Sequence, residues 1–165
     1  MSGGDHMLHQ LVLENFKAFK KPAKVPMAPI TLIFGENSSG KSSILQSLSL
    51  LKQSWEQREG DRILLFRPRH PTVDLVGFKD VVYGQNPNVP ITFSLQISDQ
   101  DTSHWLEFEF VAEEVSRQQG LLQKIWLLGN NGQRLARWVS AEEVNDLRAF
   151  NAEDNTRLSN LFLLD

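Results

Sequence analysis

The run Gly35-Glu36-Asn37-Ser38-Ser39-Gly40-Lys41-Ser42 is the part of the sequence whose residue types and spacing most directly specify chemistry. It matches G-x-x-x-x-G-K-[ST] at every fixed position. Gly35 and Gly40 free the backbone to turn its N–H groups inward, forming a concave nest for an anion. A helix starting near Lys41 adds unpaired N–H donors and the positive end of its dipole. Lys41 supplies a mobile cation that can reach β- and γ-phosphates, and the Ser42 hydroxyl is a candidate Mg²⁺ ligand. Ser43, in the first helical turn, extends the same candidate site. The plain alternative is a glycine-serine loop capping a helix, with Lys41 an ordinary surface lysine.

Hydrolysis needs further groups: a carboxylate that holds Mg²⁺ through water, and a residue that places the attacking water. The carboxylate is expected to end a second buried strand, after four apolar residues. Leu161-Phe162-Leu163-Leu164-Asp165 fits, which makes Asp165 a candidate, but no catalytic Glu follows it. A terminal apolar helix or strand is the simpler reading of that run. Asp74 and Asp80 lack a preceding apolar run, and Glu107 and Glu109 read as solvent-facing strand residues. The expectation is a binding half-site without a secured catalytic residue.

These residues need elements to position them. Residues 30–34, Ile-Thr-Leu-Ile-Phe, are rich in β-branched and aromatic types and read as a strand buried on both faces, in a parallel or mixed sheet. Residues 42–58 follow as the clearest helix. Ile44, Leu48, Leu51 and Trp55 form its apolar stripe, Leu45 widens it, and Gln46, Gln53 and Glu56 face water. Before this unit, residues 11–16 read as a first strand. Lys-rich residues 17–24 follow, and Pro22, Pro26 and Pro29 keep that connection out of helix and out of a central strand. After it, residues 64–71 are irregular and basic, and residues 74–83 fit either a short helical turn or a strand.

Residues 91–97 alternate with period two, and residues 105–111 form a second run, joined by a hairpin connection at 99–103. Residues 121–128 and 134–139 flank Gly129-Asn130-Asn131-Gly132, a hairpin-turn signal because Gly and Asn tolerate positive φ. An antiparallel meander is therefore expected over 89–139. Ser140 and Glu143 form a capping-box pair, which predicts a short helix over 140–150. Residues 1–7 read as a cloning remnant apart from the domain at 8–165.

The chain has 165 residues, is 41% hydrophobic and 22% charged, and carries a net charge of −3, values of an ordinary globular domain. The charge is uneven. Residues 8–79 hold 11 Lys/Arg against 6 Asp/Glu, a balance of +5, whereas 80–165 hold 6 against 13, a balance of −7. Zero cysteines exclude a disulfide scaffold, a thiolate metal site and a cysteine nucleophile. No run approaches the roughly 20 apolar residues of a membrane span, and residues 1–9 lack the pattern of a secretory signal, so a cytoplasmic setting is expected. Trp55, Trp126 and Trp138 fall in apolar patterns and are expected in the core. The absence of an N-K-x-D motif argues against a common GTPase.

Residues 11–19 (LVLENFKAF) and 30–43 (ITLIFGENSSGKSS) together resemble the N-terminal end of ABC-type ATPase heads. Such heads occur in SMC, RecF and OLD-like proteins and in bacterial AAA-family ATPases. Residues 74–82 and the strand at 91 are similar to predicted bacterial ATPases with a DUF3696-type C-terminal region. The resemblance implies an α/β P-loop NTPase lobe, with a mixed sheet around one central helix plus the antiparallel meander. It implies ATP and Mg²⁺ bound between two protomers, with Asn37 lining the phosphate site. It also implies a glutamine near the metal in a loop after the first helix. Gln85 is the candidate by position, although an exposed turn glutamine is the simpler reading.

By the same likeness, Arg58, Arg62, Arg67 and Arg69 are candidates to approach nucleotide or DNA. The sequence departs from the pattern in lacking an LSGGQ-like signature and a switch histidine. The resemblance thus implies the N-terminal lobe of a longer ATPase, cut at residue 165 and inactive alone. Its partners would be a second ATPase protomer or the missing C-terminal lobe, with DNA or a nuclease, in DNA repair or defence against foreign DNA. The alternative is a non-catalytic interaction module that retains the loop as a relic.

Overall fold

The computed structural model describes residues 7–37, 39–56, 63–99, 102–114 and 119–139. Strand β1 (Met7–Glu14) starts earlier than the apolar run suggests and takes in Met7. It leads to the short β2 (Ala23–Pro26) and, after the phosphate-loop motif, to helix α1 (Lys41–Glu56). Then come β3 (Ile63–Leu64), α2 (Phe78–Val81) and a 3₁₀ turn at Tyr83–Gln85. The meander comprises β4 (Ile91–Asp99), β5 (Thr102–Ala112), β6 (Gly120–Gly129) and β7 (Arg134–Val139).

These seven strands form one sheet in the order β2-β1-β4-β5-β6-β3, with β7 also paired to β6. The prolines do confine β2 to the sheet's edge, where a missing ladder N–H costs least. Period-two alternation sorts the side chains. Leu11, Leu13, Phe93, Leu106, Phe110, Ile125, Leu127 and Ala136 are buried on one face. Phe16, Phe93 and Phe110 continue this face as edge-to-face rings with centroids 5.4 and 5.9 Å apart. Helix α1 packs on the same face through Ile44 and Leu50. The Gly129–Gly132 turn forms as expected, with Gly132 at φ 76° and its N–H bonded to the Gly129 carbonyl.

Four expectations differ from what the described residues show. Every strand pairing among the described residues is antiparallel, so the expected mixed sheet is not seen. Residues 30–34 are not part of a strand ladder: Ile30, Leu32 and Phe34 are 83%, 73% and 83% exposed, while Thr31 and Ile33 turn inward. The segment has the alternating exposure of a strand but no ladder partner among the described residues.

The buried stripe of α1 is also rotated from the expected one. It runs through Ser43, Ile44, Ser47, Leu50 and Gln53, and leaves Leu45 and Trp55 exposed. Gln53 explains the rotation. Its Oε1 accepts the N–H groups of Thr72 (3.1 Å) and Val73 (2.9 Å), and its Nε2 donates to the Leu65 carbonyl. Beside it, Ser54 Oγ accepts the Leu65 N–H at 2.9 Å and donates to the Leu50 carbonyl at 2.7 Å. An otherwise irregular segment obtains its backbone partners from the helix, which a purely apolar pattern does not register.

Finally, Trp126 is half-buried on the face opposite the apolar core, not in it. The side chain of Trp138 lies outside the description. So do residues 140–165, with the expected helix at 140–150 and the run ending in Asp165.

Gln53→Ala removes the partner of two part-buried N–H groups and a carbonyl, and should cost about 2–3 kcal/mol of stability. Urea unfolding followed by circular dichroism measures this; a loss near that of an exposed substitution, about 0.5 kcal/mol, would show that water replaces the amide.

Candidate functional site

The motif lies between an extended segment and a helix start, as its chemistry requires. The first helical bond runs from Ile44 N–H to the Gly40 carbonyl at 3.1 Å. The N–H groups of Lys41, Ser42 and Ser43 therefore have no partner within the helix, and the first turn carries no acidic residue to compete for them. Gly35 at φ 150° and Gly40 at φ 91° occupy backbone conformations that favour glycine. Ser39 N–H closes a turn onto the Glu36 carbonyl at 3.2 Å.

Lys41 arches back over this loop. Its Nζ donates to the carbonyls of Gly35 (2.6 Å) and Glu36 (2.5 Å). The ammonium thus sits at the loop's mouth, held by neutral acceptors rather than by a carboxylate. An anionic ligand is a stronger acceptor than either carbonyl. The resting contacts place the charge where a phosphate would draw it without tying it up in an ion pair.

A cleft of about 290 Å³ opens here, lined by Ala18, Asn37, Gly40, Lys41, Ser42 and Ser43. The structure thereby brings together Asn37, Gly40, Lys41, Ser42 and Ser43, with the backbone of Gly35, Glu36 and Ser39 completing the loop. Ser38 lies outside the described residues. Ser42 and Ser43 both line this cleft, and a serine hydroxyl is an oxygen donor of the kind a hard cation such as Mg²⁺ takes. Among the described residues, no cluster of three His, Asp or Glu side chains is placed to hold a metal.

Sequence reasoning missed Ala18 and Phe19, which belong to the turn after β1. Asn15 and Lys17 adopt positive φ there (54° and 47°). The turn is bonded to the α2 region by Lys17 N–H to Val81 O (2.6 Å) and Tyr83 N–H to Asn15 O (2.9 Å). Burial holds the Lys17 ammonium below the usual lysine range, with partial compensation from Asp80. Ala18 thereby forms part of the cleft wall. The Phe19 ring lies against Gly40 so closely that a Cβ there would come within 2.6 Å of Cζ. The signal was the pairing of ENFKAF with GENSSGKSS in one sequence: the second phenylalanine of the first motif packs on the second glycine of the other.

Other candidates lie elsewhere. Gln85 is exposed in the 3₁₀ turn at φ 55°, outside the cleft's lining. Arg67 bonds Asp74 at 2.7 Å, and this bond together with the Val76 N–H holds the Asp74 carboxyl below its ordinary range. Arg58, Arg62 and Asp165 lie outside the described residues. Glu107 and Glu109 sit on the outer sheet face, bonded to Ser94 and Lys124.

Residues 7–136 match the family model described as AAA ATPase domain. A 44-residue stretch is 52% identical to the DNA replication and repair protein RecF of Rickettsia canadensis (strain McKiel). It is 50% identical to the protein of the same name in Rickettsia bellii (strain OSU 85-389). Each match covers 26% of this chain and 12% of the relative's length, so the aligned stretch is a small part of those proteins. No solved structure matches the chain. No described helix is long and apolar enough to cross a membrane.

The Phe19–Gly40 contact predicts non-additive stability. Gly40→Ala should cost about 1–3 kcal/mol through backbone strain and overlap, and less in a Phe19→Ala background where the overlap is gone. A double-mutant cycle in urea reads the difference; equal costs in both backgrounds would mean that the ring does not press on the loop.

Proposed function

Because the chain belongs to the AAA ATPase domain family, we propose that it is the ATP-binding lobe of an SMC/RecF-like ATPase. The observation that carries the reading is the arrangement of Lys41: its ammonium is poised over the loop mouth, and three N–H groups of the first helical turn lack helical partners. The Gly35–Gly40 loop and the α1 N-terminus would hold the phosphates, Asn37 would line them, and Ser42 would ligate Mg²⁺. Bound Mg²⁺ neutralises phosphate charge and fixes its geometry. What the described cleft lining would do is bind and orient, through backbone N–H groups, an ammonium, an amide and hydroxyls. Hydrolysis of ATP to ADP and phosphate is assigned to the longer parent protein.

Partners follow from exposed apolar surface. Ile30, Leu32 and Phe34 present one side of an extended segment, and Leu45 and Trp55 project from α1. A further lobe of the ATPase, or a second protomer, would cover such surface. Pairing along 30–34 would also add the parallel strand needed for a mixed sheet. The similarity to RecF, named as a DNA replication and repair protein, supports a setting in DNA repair. The finer likeness to ATPases with a DUF3696-type region extends the proposal to defence against foreign DNA, with DNA or a nuclease as partner. A non-catalytic module with a relic loop is the competing view, and nucleotide binding separates the two.

Isothermal titration with ATP and Mg²⁺ should show binding by the wild-type chain and at least tenfold weaker binding by Lys41→Ala, the loss expected for a charge-assisted contact of about 1.5–3 kcal/mol. Ser42→Ala should reduce the Mg²⁺-dependent part of the affinity and spare Mg²⁺-free binding. No detectable binding by wild type, or equal affinity in Lys41→Ala, would overturn the assignment.

A further inference from the structure

The outer face of the sheet, opposite α1 and the core, carries an arrangement that the phosphate site does not use. Across β4, β5, β6 and β7, register aligns Ser94, Glu107, Trp126 and Arg137 in one row. The adjacent row is Gln96, Trp105, Leu128 and Arg134. In a regular strand, Arg134 and Arg137 would point to opposite faces, being three residues apart. They do not, because the ladder skips Leu135 between Leu127↔Ala136 and Leu128↔Arg134. This bulge brings both guanidinium groups over the Trp126 indole, at 4.1 Å (Arg134) and 4.9 Å (Arg137) from its centroid. Bulges of this kind re-aim side chains.

The charges on this face divide sharply. Glu109 is paired with Lys124 at 3.0 Å, and Glu107 accepts from Ser94 Oγ at 3.3 Å. No described carboxylate forms an ion pair with Arg134 or Arg137, and Arg137 Nε is buried without a hydrogen-bond partner. Two guanidinium groups without a described carboxylate partner thus lie over one indole, at a strand that has only β6 as its described neighbour. Trp105 stands one register pair away on the same face, half-buried like Trp126. Planar cations beside aromatic rings suit a ligand with both a flat π-face and a negative backbone, and an unpaired nucleotide strand has both. An acidic protein would satisfy the charge but leave the stacked planes without a role.

We propose that the Arg134–Trp126–Arg137 stack, with Trp105 beside it, is a docking platform for single-stranded nucleic acid. Bases stack on the guanidinium and indole planes while phosphates engage the two arginines. The inference rests on the nucleic-acid part of the function proposed above and stands without nucleotide binding, because the platform and the phosphate loop lie on opposite faces of the sheet.

Fluorescence anisotropy of the 165-residue chain with fluorescein-labelled oligothymidylate tests it, with oligouridylate in parallel and heparin and polyglutamate as base-free polyanion competitors. Wild type should bind at least one oligonucleotide, with affinity falling as salt rises. Trp126→Ala should weaken binding about tenfold, whereas Trp126→Phe should stay within about threefold of wild type because a stacking ring remains. Arg134→Gln should reduce both affinity and salt slope. Arg137→Lys keeps the charge, loses the plane and should still weaken binding several-fold; it serves as the test if Trp126→Ala fails to fold. Lys41→Ala should bind the oligonucleotides like wild type even where ATP binding is lost, so the two readings fail separately. No binding by wild type would overturn the proposal. So would unchanged affinity in the Trp126→Ala or Arg137→Lys variant, or competition by heparin or polyglutamate as effective as that by unlabelled oligonucleotide.

Discussion

The contact on which the candidate site most depends is the packing of Phe19 on Gly40. It joins two parts of the chain that are separate in sequence: the turn after the first strand of the sheet, and the point where the phosphate loop becomes a helix. Without a ring behind it, the loop would be anchored mainly through its own helix. With it, the position of the loop is referred to β1 and, through the bonds from Lys17 and Tyr83 to their partners, to the α2 region as well. The glycine is constrained twice over. Its φ of 91° disfavours any other residue, and the space a Cβ would need is already occupied.

Around that anchor the electrostatics are arranged for an anion. A lysine bridging two carbonyls is held in place without being neutralised. Had Glu36 taken the ammonium through its carboxylate, a phosphate would have had to displace an ion pair, which is a stronger competitor than a carbonyl. The free N–H groups of the first helical turn act in the same direction as the lysine, and no acidic side chain in that turn opposes them. The site is therefore largely organised before any ligand arrives, which lowers the ordering cost of binding.

Much of this was legible in the sequence, and the failures share a cause. The hairpins of the meander followed from alternation and from the Gly-Asn-Asn-Gly turn, because local pattern and tertiary structure agree there. The phosphate loop was legible because its chemistry requires fixed residue types at fixed spacing. The face of α1 was not. Gln53 is buried because it serves the backbone of residues 65–73, a long-range demand that hydropathy does not encode. Trp126 lies in an apolar strand pattern, which alone points to the core. The register places it opposite Glu107 on the outer face, and the one-residue skip at Leu135 that brings two arginines over it has no signature in residue type. Residues 30–34 read as a strand buried on both faces, because β-branched and aromatic types do not say whether a neighbour is present; the described sheet gives them no ladder partner and leaves Ile30, Leu32 and Phe34 exposed.

That last mismatch carries the strongest physical implication. Burying a side chain the size of Ile, Leu or Phe is worth roughly 1.5–3 kcal/mol. Leaving three of them largely in water forgoes on the order of 5 kcal/mol, comparable with the whole stability of a marginal domain at about 5–15 kcal/mol. Charged or proline residues normally blunt an exposed strand edge, as Lys24 and Pro26 do in β2. Residues 30–34 carry neither, and they lead directly into Gly35. An apolar extended segment that is unprotected and continuous with the loop at Gly35 suits being covered. It also runs straight into Gly35 and Glu36, whose carbonyls accept from the Lys41 ammonium, so the exposed apolar side chains and the loop's cation belong to one short stretch of chain.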